Sequence, residues 1–139
     1  MARRTIILMG EPKVSEDWAA GGAITPGMLV ERNSSGLLVA HATAGGAAAY
    51  DFAMERDEMG KDIDTAYASG DTVKVGHCHA GMRVNALIAN AVNAAVNSKL
   101  ESAGNGTLRV FTTGVIIAQA LEAVNNTSGA NARLRVEII

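Results

Sequence analysis

The sequence predicts a mainly β protein: a small β-barrel or sandwich of hairpins, with at most one or two short helices and an extended N-terminal arm. One observation behind this is a hairpin pattern that occurs twice. Leu29-Val30-Glu31 leads through Asn33-Ser34-Ser35-Gly36 into Leu37-Leu38-Val39, and Leu100-Glu101 leads through Ala103-Gly104-Asn105-Gly106 into Thr107-Leu108-Arg109-Val110. Each is a pair of short apolar runs around a turn that glycine and asparagine favour. A second observation is the alternation of polar and apolar side chains in Asp71-Thr72-Val73-Lys74-Val75, the pattern of a half-buried strand. The third is that no stretch carries a sustained helical period flanked by caps. A short Ala-and-Glu segment follows each hairpin, Phe52-Ala53-Met54-Glu55 and Ala118-Gln119-Ala120-Leu121-Glu122, which suggests a crude internal duplication.

Taken in order, residues 5–9 are β-branched and apolar, a first strand or an extended arm, and a polar stretch through Trp18 to Gly22 follows. Residues 1–22 therefore read as an N-terminal arm or first strand, and residues 23–139 as a single β-domain. Ile24-Thr25-Pro26-Gly27 is a turn, proline setting one backbone angle and glycine supplying the positive one. After the first hairpin, residues 41–49 are small and flexible, a loop, and residues 50–55 form the next strand. Residues 57–70 are polar and rich in turns. The alternating strand then runs into Gly76-His77-Cys78-His79, and residues 82–89 follow as another strand. Residues 90–98, with Asn at 90, 93 and 97, fit a short helix or a wide loop. Residues 115–124 contain both periods, and Leu134-Arg135-Val136-Glu137-Ile138-Ile139 closes the chain with a strand.

A chain of 139 residues is most simply one domain, long enough to bury about two thirds of its unfolded surface. With Cys78 as the single cysteine, no intramolecular disulfide forms, and nothing indicates an oxidising compartment. The start, Met1-Ala2-Arg3-Arg4-Thr5-Ile6-Ile7-Leu8-Met9, imitates a signal peptide, but Gly10-Glu11-Pro12-Lys13 ends the apolar run too early for a signal or a membrane span. Twelve basic and fourteen acidic side chains give a charge of −2, and no basic cluster provides the concentrated face that nucleic-acid binding needs. Hydrophobic residues make up 48%, yet only five are aromatic, beside fifteen glycines. Large aromatics contribute most to packing, so association with copies of itself or with another surface is expected to supplement the core.

Candidate chemistry is sparse. His77 and His79 stand at i and i+2, so on a strand both imidazoles share a face while Cys78 takes the other. A zinc site needs a third and usually a fourth ligand; His41 is the remaining histidine, so two half-exposed strand histidines and a core thiol are the expectation, with no metal, cofactor or catalytic group. Asp62, Asp64 and Asp71 approach a calcium loop but put Tyr67 at its sixth position and Val73 at its twelfth, where glycine and glutamate are required. The Gly-rich stretches lack the lysine of a phosphate cradle, and Asn105-Gly106-Thr107 and Asn126-Thr127-Ser128 fit a glycosylation pattern that means nothing without secretion. Two features suit partner binding. Trp18, the sole tryptophan, is an interface anchor or a core residue covering a barrel end. Arg3, Arg4, Ile6, Ile7 and Leu8 lie in a segment that can add to a partner's sheet edge, or serve as the first strand of its own domain.

Larger stretches resemble a known family. Ile24-Thr25-Pro26-Gly27-Met28-Leu29-Val30, His41-Ala42-Thr43-Ala44-Gly45-Gly46, Phe52-Ala53-Met54-Glu55 and Gly60-Lys61-Asp62-Ile63-Asp64, with Tyr67 and Gly70-Asp71, are similar to the small capsid cement (decoration) proteins of tailed bacteriophages. The second half agrees through Gly81-Met82-Arg83-Val84-Asn85-Ala86-Leu87, residues 100–108 and Ala120-Leu121-Glu122-Ala123. The order and spacing of these motifs carry the resemblance, which covers most of the chain beyond Ala23. It implies a mostly β fold, self-association as trimers or sometimes dimers, and a seat on the outside of the virion head, where the protein binds the major capsid protein at capsomer junctions and stabilises the expanded shell. Such a protein is made in the host cytoplasm, is not an enzyme, and has neither nucleic acid nor membrane as a partner. Two other classes stand beside it: a metal-dependent enzyme using His77 and His79, and a barrel binding a small ligand, which the scarcity of aromatics disfavours.

Overall fold

Residues 5–139, apart from 13, 57, 58 and 128, are described by the structure, a computed structural model, with 14 and 15 described by their backbone alone. Among them run β1 (Ile7–Met9), β2 (Val14–Ala19), β3 (Val30–Arg32), β4 (Leu38–Ala40), β5 (Asp51–Ala53), β6 (Thr72–His77) and β7 (Arg83–Ile88). They are followed by β8 (Asn93–Ala94), β9 (Lys99–Ser102), β10 (Leu108–Val110), β11 (Ala118–Ala120), β12 (Val124–Asn125) and β13 (Ala132–Ile138). The mainly β expectation holds.

The strands β7, β10, β9, β11 and β13 pair in that order, and β13 returns to β7, closing a five-stranded barrel. Closure removes the sheet edges that would otherwise stay unpaired. The longest seam is β7 with β13, antiparallel from Ala132 opposite Ile88 to Glu137 opposite Arg83. On the other edge of β7, β1 pairs at Val84 and Arg83, and β10 runs parallel at Ile88. Strand periodicity fixes the inside: Leu134, Val136 and Ile138 of β13 are buried while Arg135 between them is exposed. A five-stranded barrel is narrow, and Ala86, Ala118 and Ala120 in its core give the alanine-rich composition a local use. Its interior is filled by these side chains with Val84, Ile88, Leu100 and Leu108.

A second layer covers one side. Strands β2, β6 and β5 form a three-stranded antiparallel sheet, and β3 with β4 a hairpin beside it. Between them lies a smaller core of Ile24, Val30, Leu38, Ala53, Tyr67, Val73 and Val75. The two cores share backbone: Leu29 and Phe52 enter the barrel core, while their neighbours Val30 and Ala53 enter the smaller one. Period-two alternation thus makes segments 29–30 and 52–53 a common wall, buried on both faces. Arg133 of β13 donates to the carbonyls of Pro26 and Ile63 and fastens the layers together.

Both predicted hairpins form, Val30 opposite Ala40 in the first and Leu100 opposite Val110 in the second. They are not equivalent in space: the first is a separate two-stranded sheet and the second supplies two staves of the barrel. Of the arm and the first strand offered for residues 1–22, the described part takes the strand form, β1 and β2 pairing with β7 and β6 of the same chain, while residues 1–4 and 13 lie outside the described residues. The helix alternative for residues 90–98 is not taken. Ala91 and Asn97 have φ of 67° and 70°, left-handed values that no α-helix accommodates. The Ala91 conformation is costly for any residue with a Cβ, so Ala91→Gly is expected to raise stability by up to about 1 kcal/mol, read as a higher urea midpoint.

Candidate partner-docking surface

Each sheet containing an N-terminal strand ends on it: β1 is the outermost strand attached to β7, and β2 the outer strand of the three-stranded sheet. Among the described residues β1 has no further strand alongside, and β2 meets β4 only just past its end, where Ala20 bridges Leu38. An outer strand presents backbone donors and acceptors that an extended partner segment can pair with. On β1, Ile7 and Leu8 are half-buried and Met9 is 55% exposed. Ile6 differs from its sequence reading. It is fully buried in the barrel core, and its backbone N–H donates to Glu55 at 2.9 Å. Its side chain serves the core and is not available to a partner. Arg3 and Arg4 lie outside the described residues.

Trp18 is half-buried against the smaller core. The β2–β6 register places it opposite Val73, on the face that carries Glu16 and His77. The Arg32 guanidinium lies 4.0 Å from the Trp18 ring centroid, and the His77 ring meets it edge-on at 5.8 Å. Such cation–π and edge contacts hold the indole at the rim between sheet and hairpin. Trp18 thus forms a half-buried shelf on the smaller core and does not cover an end of the barrel.

The histidine pair does not survive as a unit. Strand β6 ends at His77, whose Nδ1–H donates to Asp51, the residue opposite it on β5. Glu16 stands 3.8 Å from the His77 Nε2. Burial raises the Asp51 carboxyl above its ordinary value, an effect partly offset by His77. His79, beyond the strand, turns to the Ala80 carbonyl at 3.1 Å. Cys78 is buried and its thiol pushed up to about 12 by desolvation, the chemistry of an inert core thiol. Among the described residues no three His, Cys, Asp or Glu side chains come together as a metal site. Asp62 instead caps its own turn, accepting from the Asp64 N–H and Thr65 hydroxyl. Asn126 is buried, with its amide nitrogen donating to the carbonyls of Ala89 and Ala130, so it is no glycosylation acceptor in this fold.

Two polar groups whose burial the sequence does not signal meet at strand β9. His41 is buried, and because the Ala47 carbonyl only accepts, Nε2 carries the proton it shares at 2.9 Å. In the neutral ring Nδ1 then accepts from the Ser102 hydroxyl at 2.7 Å. Glu101 is fully buried and accepts from the Thr112 hydroxyl and N–H, the Gly114 N–H and the Arg109 Nε. The hydrogen bond from the Thr112 hydroxyl leads the effects that hold its carboxyl below its ordinary value. A depressed carboxyl stabilises the fold above its unfolded pKa and loses that contribution as the pH falls through its folded one. Glu101→Gln is therefore expected to be less stable than the parent at pH 7 and to show a shallower loss of stability on acidification below pH ~5, measured by urea unfolding across pH. Neither residue announces its burial: Glu101 is enclosed only when the loop at 112–114 turns back over it, and His41 meets Ser102, 61 residues along the chain.

Together these elements define a closed five-stranded barrel with a covering β layer and two outer strands free to be extended. No protein-family model matches the chain, and no curated protein matches it in sequence. Among solved structures it is similar to the head fiber gp8.5 N base in bacteriophage phi29, with a TM-score of 0.61 and 12% sequence identity, covering 91% of this chain and 93% of that one. At that identity the likeness is one of fold, and it takes in the barrel and the covering layer alike.

Proposed function

We propose that this protein is a structural component of a bacteriophage head: a cement protein that binds the major capsid protein on the outer surface, at junctions between capsomers, and stabilises the expanded shell. The observation that carries this reading is the likeness, over nearly the whole of both chains, to the base of a phage head fiber. The two outer strands and the Trp18 shelf agree with it, because they offer a surface to bind with and no constellation for turnover. Binding the expanded shell better than its precursor shifts the equilibrium toward the intact head by the difference in affinity. As a homotrimer, or a dimer, the protein would grip several subunits at once, the later contacts forming at high effective concentration.

The test is co-sedimentation of the purified protein with expanded heads lacking it, beside unexpanded precursor shells. Saturable binding at a fixed ratio to capsid subunits, confined to expanded heads, is expected; absence of binding to either would overturn the proposal. Removing residues 1–12 is a poor probe of the contact, because it deletes core Ile6 and strand β1. Met9→Asp is better, since Met9 is 55% exposed. It is expected to lower occupancy on heads while leaving the melting temperature unchanged, because an edge charge opposes strand addition.

A further inference from the structure

Beyond the end of β7, away from the β1 contact, the β7–β8 turn and the turn of the second hairpin enclose an open depression of about 580 Å³. Asn90, Asn93, Asn105 and Arg109 line it, with Val92 and Val110 among its apolar walls. Internal bonds consume the acceptor ends of two of these amides. The Asn90 carbonyl oxygen accepts from the Gly129 N–H at 3.0 Å, and that of Asn105 from the Thr107 N–H and hydroxyl. Arg109 spends only its Nε on Glu101 and is 41% exposed. Among the described residues, the amide nitrogens of Asn90 and Asn105, the terminal nitrogens of Arg109 and the whole amide of Asn93 have no partner. The depression is thus biased toward donors, with one cationic fork and apolar surface between.

We propose that this depression binds a carboxylated sugar, as a unit of an acidic polysaccharide. A uronate supplies a carboxylate for the planar Arg109 fork, ring hydroxyls that accept from the asparagine amides, and C–H faces for the valine walls. An acidic peptide would meet Arg109 with a side-chain carboxylate and the amides with its carbonyls but has no ring C–H face for the valine walls, and a neutral sugar would bring no carboxylate to the terminal nitrogens that Glu101 leaves free. The site goes beyond the head-structural reading: it lies away from β1, and an occupant there does not compete with strand addition.

The experiment uses the whole ¹⁵N-labelled chain, titrated with trigalacturonate, with maltotriose and with tetraglutamate in parallel. Saturable shifts of the Asn93 side-chain amide and the Arg109 Nε–H are expected with trigalacturonate, and binding at least tenfold weaker with the other two. Asn93 makes no internal side-chain bond, so its variants keep the fold, which circular dichroism verifies. Asn93→Ala is expected to weaken trigalacturonate roughly fivefold through a lost hydrogen bond, and Asn93→Asp by more, through charge repulsion. The proposal is overturned by absent or non-saturating shifts at these groups, by tetraglutamate or maltotriose binding as tightly as trigalacturonate, or by Asn93→Asp leaving affinity unchanged.

Discussion

Gly114→Ala is expected to destabilise the protein by about 3 kcal/mol or more, lowering its melting temperature by roughly 10 °C for a chain of this size. The reason is proximity. A Cβ on Gly114 would stand 2.1 Å from the Glu101 carboxylate and 2.5 Å from both the Cα and the carbonyl oxygen of Gly45. The loop carrying Gly45 is tied down by bonds from the Gly45 N–H to the Ser102 carbonyl and from the Val115 N–H to the Gly45 carbonyl, at 2.8 and 2.9 Å. A methyl group can be admitted only by parting these loops, which would also pull Gly114 from the buried Glu101. Gly22→Ala is the control, because nothing lies within 4 Å of its Cβ position; it should be neutral or slightly stabilising through the unfolded chain. Equal melting temperatures for the two variants would show that the loop crossing is not closely packed.

What was legible in the sequence follows how local the cause is. The first hairpin announces itself because Asn33 alone organises its turn, its side-chain oxygen accepting from the N–H groups of Ser35 and Leu37 while Gly36 adopts a φ of 79°. Alternation located β6, since one face of that sheet packs on the smaller core. The choices left open turned on distant partners. Whether residues 7–9 are an arm or a strand depends on Val84 and Arg83, and nothing in the segment itself names them. His77 and His79 looked like a pair by spacing, but the β5–β6 register assigns His77 to Asp51. At residues 90–98 the asparagines suited helix and loop equally, and the left-handed residues at 91 and 97 decided it. Glu101 reads as a surface charge on a strand; only the returning loop at 112–114 makes it a buried acceptor. Strand β1 was legible in place, whereas β2 reads as a polar stretch until β6 pairs with it, and Ile6, offered as a partner-binding residue, is taken up by the barrel core.

Phe52→Ala is the substitution that tests whether the two cores are one cooperative unit. Phe52 is fully buried and among the few large side chains of an alanine-rich interior, so its truncation should cost about 3–5 kcal/mol. The common wall determines how that loss is expressed. Since Phe52 enters the barrel core while adjacent Ala53 enters the smaller core, β5 cannot shift toward the vacated space without disturbing both. Trp18, the sole tryptophan, packs against the smaller core and reports on it by fluorescence, whereas the barrel strands dominate the far-ultraviolet circular dichroism. In urea the two signals are expected to move together to the same lower midpoint in Phe52→Ala, as a two-state unit requires. Val73→Ala, which cuts into the smaller core from the other side, should likewise lower both midpoints together. Were the circular dichroism transition alone to shift in Phe52→Ala, with tryptophan fluorescence unfolding at its parental midpoint, the layers would be independent domains and the shared wall only a contact between them.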